Sequence, residues 1–165
     1  MSEFSESYHL RSERIEDAIE LLRRAKRKGY FYQPVNGWVT FLAEEGVFDP
    51  DGRIVGAASQ PLLHCVSAED HEWSFALFER AKVVCGYRCD WYTNQIRVDD
   101  SKYSRAALQY FVPSAKPTLP DDLERRVHPN DIRDTMSFHC SALAGLGGSW
   151  GGEPGASRCA LHPRL

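Results

Sequence analysis

Two apolar runs of period two flank a short polar break midway along this chain. Leu62-Leu63-His64-Cys65-Val66-Ser67 and Trp73-Ser74-Phe75-Ala76-Leu77-Phe78 lie on either side of Ala68-Glu69-Asp70-His71-Glu72. Alternation on both sides of a short polar break predicts a β-hairpin, with carboxylates and an imidazole at its tip. A reversal at Glu79-Arg80-Ala81-Lys82 leads into a third run, Val83 to Trp91. Thr93 to Asp100 adds an edge strand, so the pattern predicts an antiparallel meander.

Upstream, Tyr8-His9-Leu10-Arg11 reads as a short first strand. Ile15, Ala18, Ile19, Leu22 and Ala25 then follow helical spacing, with Ser12 placed to cap and Gly29 to terminate. Glu13, Glu16 and Asp17 come early and Arg23 to Lys28 late, an order that complements the helix dipole. Pro34-Val35-Asn36-Gly37 and Asp49-Pro50-Asp51-Gly52 are turns around a strand at Trp38 to Leu42. Ile54 to Ser59 fits a short helix or a strand equally.

Tyr103 to Val112 has helical character, Pro113 to Pro120 reads as loop, and helical character returns from Asp121. Pro129 opens a last helix running to about Leu143. From Gly145 onward glycine and proline dominate, and such a stretch buries too little apolar surface to offset its ordering entropy. The expected fold is α+β: an antiparallel β-meander sheet packed on one face by an N-terminal helix and C-terminal helices. It forms one domain over 1–145, followed by a Gly/Pro-rich tail over 146–165.

Composition narrows the function classes. The chain has 165 residues, 42% hydrophobic and 26% charged, with a net charge of −3. This length suits one domain burying about two thirds of its unfolded surface. The mild acidity gives no support to nucleic-acid binding, which favours a basic excess. No apolar run is long enough to span a membrane, and the acidic start Met1 to Glu6 does not resemble a signal peptide. Five cysteines at irregular spacing do not suggest a secreted disulfide framework. A cytoplasmic location is therefore expected.

The chemistry-bearing candidates follow from the pattern. At the hairpin tip Glu69, Asp70 and His71 make an acid/base or metal-assisted cluster conceivable, since a carboxylate beside an imidazole raises its basicity. The ordinary alternative is a solvated turn. His64 and Cys65 point to opposite faces of an extended strand and read as core residues. Cys85 and Cys89 lie about 13 Å apart along a strand, too far for a disulfide or one shared zinc. With Val83, Tyr87 and Trp91 they form one alternating face.

His139-Cys140 reads as packing on the last helix, and Arg23 to Lys28 as a solvated helix end. The aromatic residues Tyr30, Phe31, Tyr32, Trp38, Trp73, Tyr87, Trp91 and Tyr92 are available for a binding face. The chain lacks a phosphate-binding glycine loop, a dinucleotide fingerprint, a His-Glu-x-x-His run and a nucleophile elbow, so no cofactor and no metal are expected.

Asn36-Gly37-Trp38-Val39, Pro61-Leu62-Leu63-His64 and Ala68-Glu69-Asp70-His71-Glu72-Trp73-Ser74-Phe75 resemble a family of small uncharacterised bacterial proteins with an Ala-Glu-Asp-His-x-Trp hairpin motif. The resemblance covers residues 7–92 and implies a bacterial, cytosolic origin and the strand–helix–meander order. It carries no activity. The leading expectation is a small protein-binding module, of which a toxin-neutralising immunity protein is one form, with Trp73, Asp70, Glu72 and Trp91 as binding residues. The alternative is a hydrolase or metal-assisted enzyme working through Glu69, Asp70 and His71.

Overall fold

A computed structural model describes residues 4–68, 72–91 and 96–111. Along them run β1 (Phe4–Arg11), α1 (Ile15–Ala25), β2 (Gly29–Phe31), β3 (Trp38–Ala43) and α2 (Gly52–Ala57). After these come β4 (Leu62–Ala68), β5 (Glu72–Glu79), β6 (Lys82–Asp90), β7 (Arg97–Asp99) and α3 (Arg105–Phe111). The strands form one antiparallel sheet of order β2-β3-β1-β4-β5-β6-β7. The expected α+β class and antiparallel sheet hold. The meander describes β4 to β7, while the first strand inserts between β3 and β4.

Turn chemistry sets the short connections. Asn36 and Gly37 both take positive φ (51° and 79°), and Val35 and Trp38 exchange backbone hydrogen bonds across them. That is the two-residue hairpin geometry whose twist matches the strands. Helix α1 begins at Ile15 with Arg14, not the expected Ser12, as its N-cap, and the Arg14 side chain makes no capping hydrogen bond. Ser12 Oγ accepts from the Arg14 N–H at 3.0 Å and donates to Asp17 Oδ2 at 2.6 Å. Its end differs from expectation: Lys26, at φ 55°, is the left-handed C-cap, and Gly29 opens β2 instead. A Cβ on Gly29 would lie 2.2 Å from the Leu42 carbonyl oxygen, so glycine is needed there for the close approach of β2 to β3. The ambiguous stretch after Gly52 is helix α2, started by Asp51, whose side chain accepts from the Arg53 N–H.

Two apolar clusters lie on opposite faces of the sheet. On one, Tyr8, Leu10, Val39, Phe41, Leu62 and Phe78 pack against Leu21 and Leu22 of α1 and Ile54 of α2. On the other, Trp38, Leu63, Trp73, Phe75 and Leu77 pack against Leu108 and Phe111 of α3. The helices thus divide between the faces, where the sequence pattern placed them all on one. Strand β4 supplies the reason: Leu62 through Val66 are all buried, and a strand apolar on both faces needs cover on both.

A register shift at Leu77/Phe78 also changes the third strand. Leu77 pairs with Cys85 but Phe78 pairs with Val83, so Val83 leaves the face of Cys85, Tyr87 and Cys89 and turns to the α1/α2 side.

Candidate functional site

Pairing places two rows of side chains across the α1/α2 face. One row is Glu6, Val66, Ser74, Arg88 and Asp99; the next is Tyr8, His64, Ala76 and Gly86. Where the rows meet the loop before α2, Glu6 joins three segments. Its Oε1 lies 3.0 Å from His64 Nε2, and its Oε2 accepts the Phe48 N–H at 3.0 Å. Tyr8 closes the arrangement from the side, its ring 4.6 Å from the His64 ring and its hydroxyl oxygen accepting the Asp51 N–H at 2.9 Å. Burial pushes the Glu6 carboxyl up, but the bonds from His64 and Phe48 outweigh it and the group stays below its ordinary range. Burial keeps the Tyr8 phenol protonated. His64 is 1% exposed. The pair therefore anchors the loop to the sheet.

On the opposite face a second histidine is enclosed by hydroxyls. His9 Nδ1 lies 2.9 Å from Thr40 Oγ1, and its Nε2 lies 3.1 Å from Ser7 Oγ. Burial, with His64 close behind it, pulls its pKa down to about 4. The row Ser7–His9–Thr40 has the connectivity of a hydrolase relay. The third member is a neutral hydroxyl instead of a carboxylate, however, and an imidazolium would be buried without a countercharge. This histidine stays neutral and holds three strand positions together.

Among the described residues expected to carry function, Glu72 lies on one face of the sheet and Trp73 and Trp91 on the other. Glu69, Asp70 and His71 lie outside the described residues, as do Tyr92, His139, Cys140, the helices after Pro120 and the tail. Glu72 faces the α1/α2 side, where it accepts hydrogen bonds from Arg88 and from Ser74. Trp73 is 3% exposed, set among Phe75 and Tyr87 on the α3 face. Trp91 packs half-buried against that same cluster. Trp73 and Glu72 thus belong to opposite faces. Cys65, Cys85 and Cys89 are buried, and burial pushes the Cys85 and Cys89 thiols up, away from nucleophilic character. His64 and Cys65 do lie on opposite faces, as the alternation required.

A shallow depression of about 170 Å³ opens on the α1/α2 face, over the half of the sheet that those helices leave uncovered. Phe48 and Asp49 of the pre-α2 loop form one wall, Val83 and Arg88 another, and Ser74 and Ala76 the floor. Arg88 bridges the two sides, bonded to Glu72 and 3.7 Å from Asp49. Nothing in the sequence pattern marks Glu6, Tyr8, His9, Thr40, Asp49 or Arg88 as functional. The one available signal was period two in β1, which puts Glu6 with Tyr8 and Ser7 with His9.

Among the described residues no group of three His, Cys, Asp or Glu side chains is placed to hold a metal ion. No helix among them is long and apolar enough to cross a membrane. In comparisons with known proteins no family model matches the chain, and neither the curated proteins nor the solved structures yield a match.

Proposed function

We propose that this protein is a binding module for another protein, using the uncovered half of the α1/α2 face. One contrast carries the reading. The described histidines and cysteines, the groups best suited to acid/base or nucleophilic work, are all buried. The side chains at the depression are the accessible ones: Phe48 is 38% exposed and Val83 44%, beside the half-exposed Arg88 guanidinium. Apolar side chains with an arginine at the centre of a charged surface are the usual make-up of an interface hot spot. With Trp73 buried, Phe48, Val83 and Arg88 take its place as the proposed anchors.

Affinity capture of the tagged chain from its native host, beside an Arg88→Glu, Val83→Asp variant, tests the reading. One stoichiometric partner should be recovered with the wild type and lost with a variant whose melting temperature is unchanged. Absence of any partner, together with hydrolytic turnover that His71→Ala abolishes, would replace this reading with the enzymatic one.

A further inference from the structure

We infer that the partner is a basic protein, docked where the pre-α2 loop meets the Phe4 end of the sheet; this rests on the protein-binding reading above. The loop is built to face outward. Glu45 and Phe48 both hold positive φ (62° and 61°), a conformation that a bulky aromatic residue rarely adopts. Glu6 maintains it by accepting the Phe48 N–H, and Gly46 lies so close to that carboxylate that a Cβ would fall 2.3 Å from Oε2. The result is an apolar patch in solvent. Val47 is 70% exposed, Phe4 48% and Phe48 38%, with the two phenyl rings 5.8 Å apart. The adjoining sheet surface at Ser74, Arg88 and Asp99 lies outside the cluster that α1 and α2 cover.

Charge around this patch selects the occupant. Glu44, Glu45 and Asp49 come from the loop, and register brings Asp90 and Asp99 to the same face of the sheet. Among the described residues the cations close by are few. Arg88 is bonded to Glu72 and adjacent to Asp49, and Arg27 is held by Asp51 and lies 4.0 Å from Glu45. Arg97 and Lys102 remain as the counterweight. An apolar centre inside an acidic rim is complementary to an apolar residue flanked by lysine or arginine, and such complementarity governs encounter and partner choice.

The test uses the full chain, ¹⁵N-labelled and titrated with the amidated peptide Lys-Lys-Leu-Phe-Lys-Lys and with its Glu-Glu-Leu-Phe-Glu-Glu counterpart. The basic peptide should shift the amides of Phe4, Val47, Phe48 and Arg88, bind at least about tenfold tighter than the acidic one, and weaken as salt is added. The triple variant Glu45→Lys, Asp49→Lys, Asp90→Lys should lose that preference. A control with the same change in net charge, Glu13→Lys, Glu16→Lys, Glu79→Lys, should keep it. Equal binding of the two peptides, shifts confined to other residues, or equal behaviour of the two triple variants would overturn the inference. A native partner still captured by the first triple variant overturns it too, while leaving the protein-binding reading intact. A peptide preference with no captured partner overturns the protein-binding reading and this inference with it.

Discussion

The two faces of the sheet each enclose a histidine, and they do so by opposite means. His64 sits against a carboxylate that also grips a loop; His9 sits between two hydroxyls and touches no charge of opposite sign. The first arrangement ties an exposed segment to the core. The second ties neighbouring strands to each other and keeps its ring neutral. The surroundings follow the same division. On the His9 side the aromatic cluster and α3 build a closed core, while on the His64 side the helices stop short and a charged depression remains. Among the described elements one face is closed by its own packing, and the other is where the proposed partner would dock.

The largest expected effect tests the closed face. Trp73→Ala should cost about 3–5 kcal/mol in a denaturant melt, as removal of a buried aromatic side chain does. A cost below about 1 kcal/mol would return Trp73 to the list of surface anchors.

Next comes acid sensitivity. His9 titrates near 6.5 when unfolded and near 4 in the fold. Above pH 6.5 the ring is neutral in both states and stability is unaffected. As pH falls from 6.5 to about 4, the unfolded chain takes up a proton that the native ring refuses, and stability should drop by about 3 kcal/mol. Glu6 extends the loss at lower pH. Its folded carboxyl lies below the ordinary 4.5, so its contribution is complete above that value and disappears as pH falls through the folded one. Melts at stepped pH should show the slope between 6.5 and 4 in the wild type and not in His9→Gln. Parallel slopes would assign the sensitivity elsewhere.

Glu6→Leu should cost about 2 kcal/mol, because it strands the His64 ring nitrogen and the Phe48 N–H. Glu6→Gln should recover part of that, since the amide oxygen still accepts. Hydrogen exchange at Phe48 would show whether the loop has come loose: its amide should exchange faster in Glu6→Leu while core amides of β4 stay protected. The smallest effect belongs to Arg88→Ala. The side chain is half exposed, so stability should change by less than about 1 kcal/mol while partner capture falls.

Period two was enough to place β4, β5 and β6 and to put His64 and Cys65 on opposite faces. Helical spacing was enough for α1, and the Asn36-Gly37 pair for its hairpin. These features depend on neighbours a few residues apart, where sterics and local hydrogen bonds decide. The candidate site was not readable in this way. Glu6 and His64 are 58 residues apart, and they meet only because β1 enters the sheet between β3 and β4. Gly29 illustrates the limit at a single residue. Its place after the basic run predicts a helix stop, yet its role is set by the Leu42 carbonyl of a strand later in the chain.

By itself, then, the sequence determined the antiparallel α+β class and the local elements, because apolar periodicity must match the pitch of whatever buries it. Tertiary structure alone decided which strands are neighbours, where Val83 turns at the register shift, and which part of the sheet α1 and α2 cover. Those outcomes depend on packing between distant segments. No local pattern records which buried polar group will meet which partner.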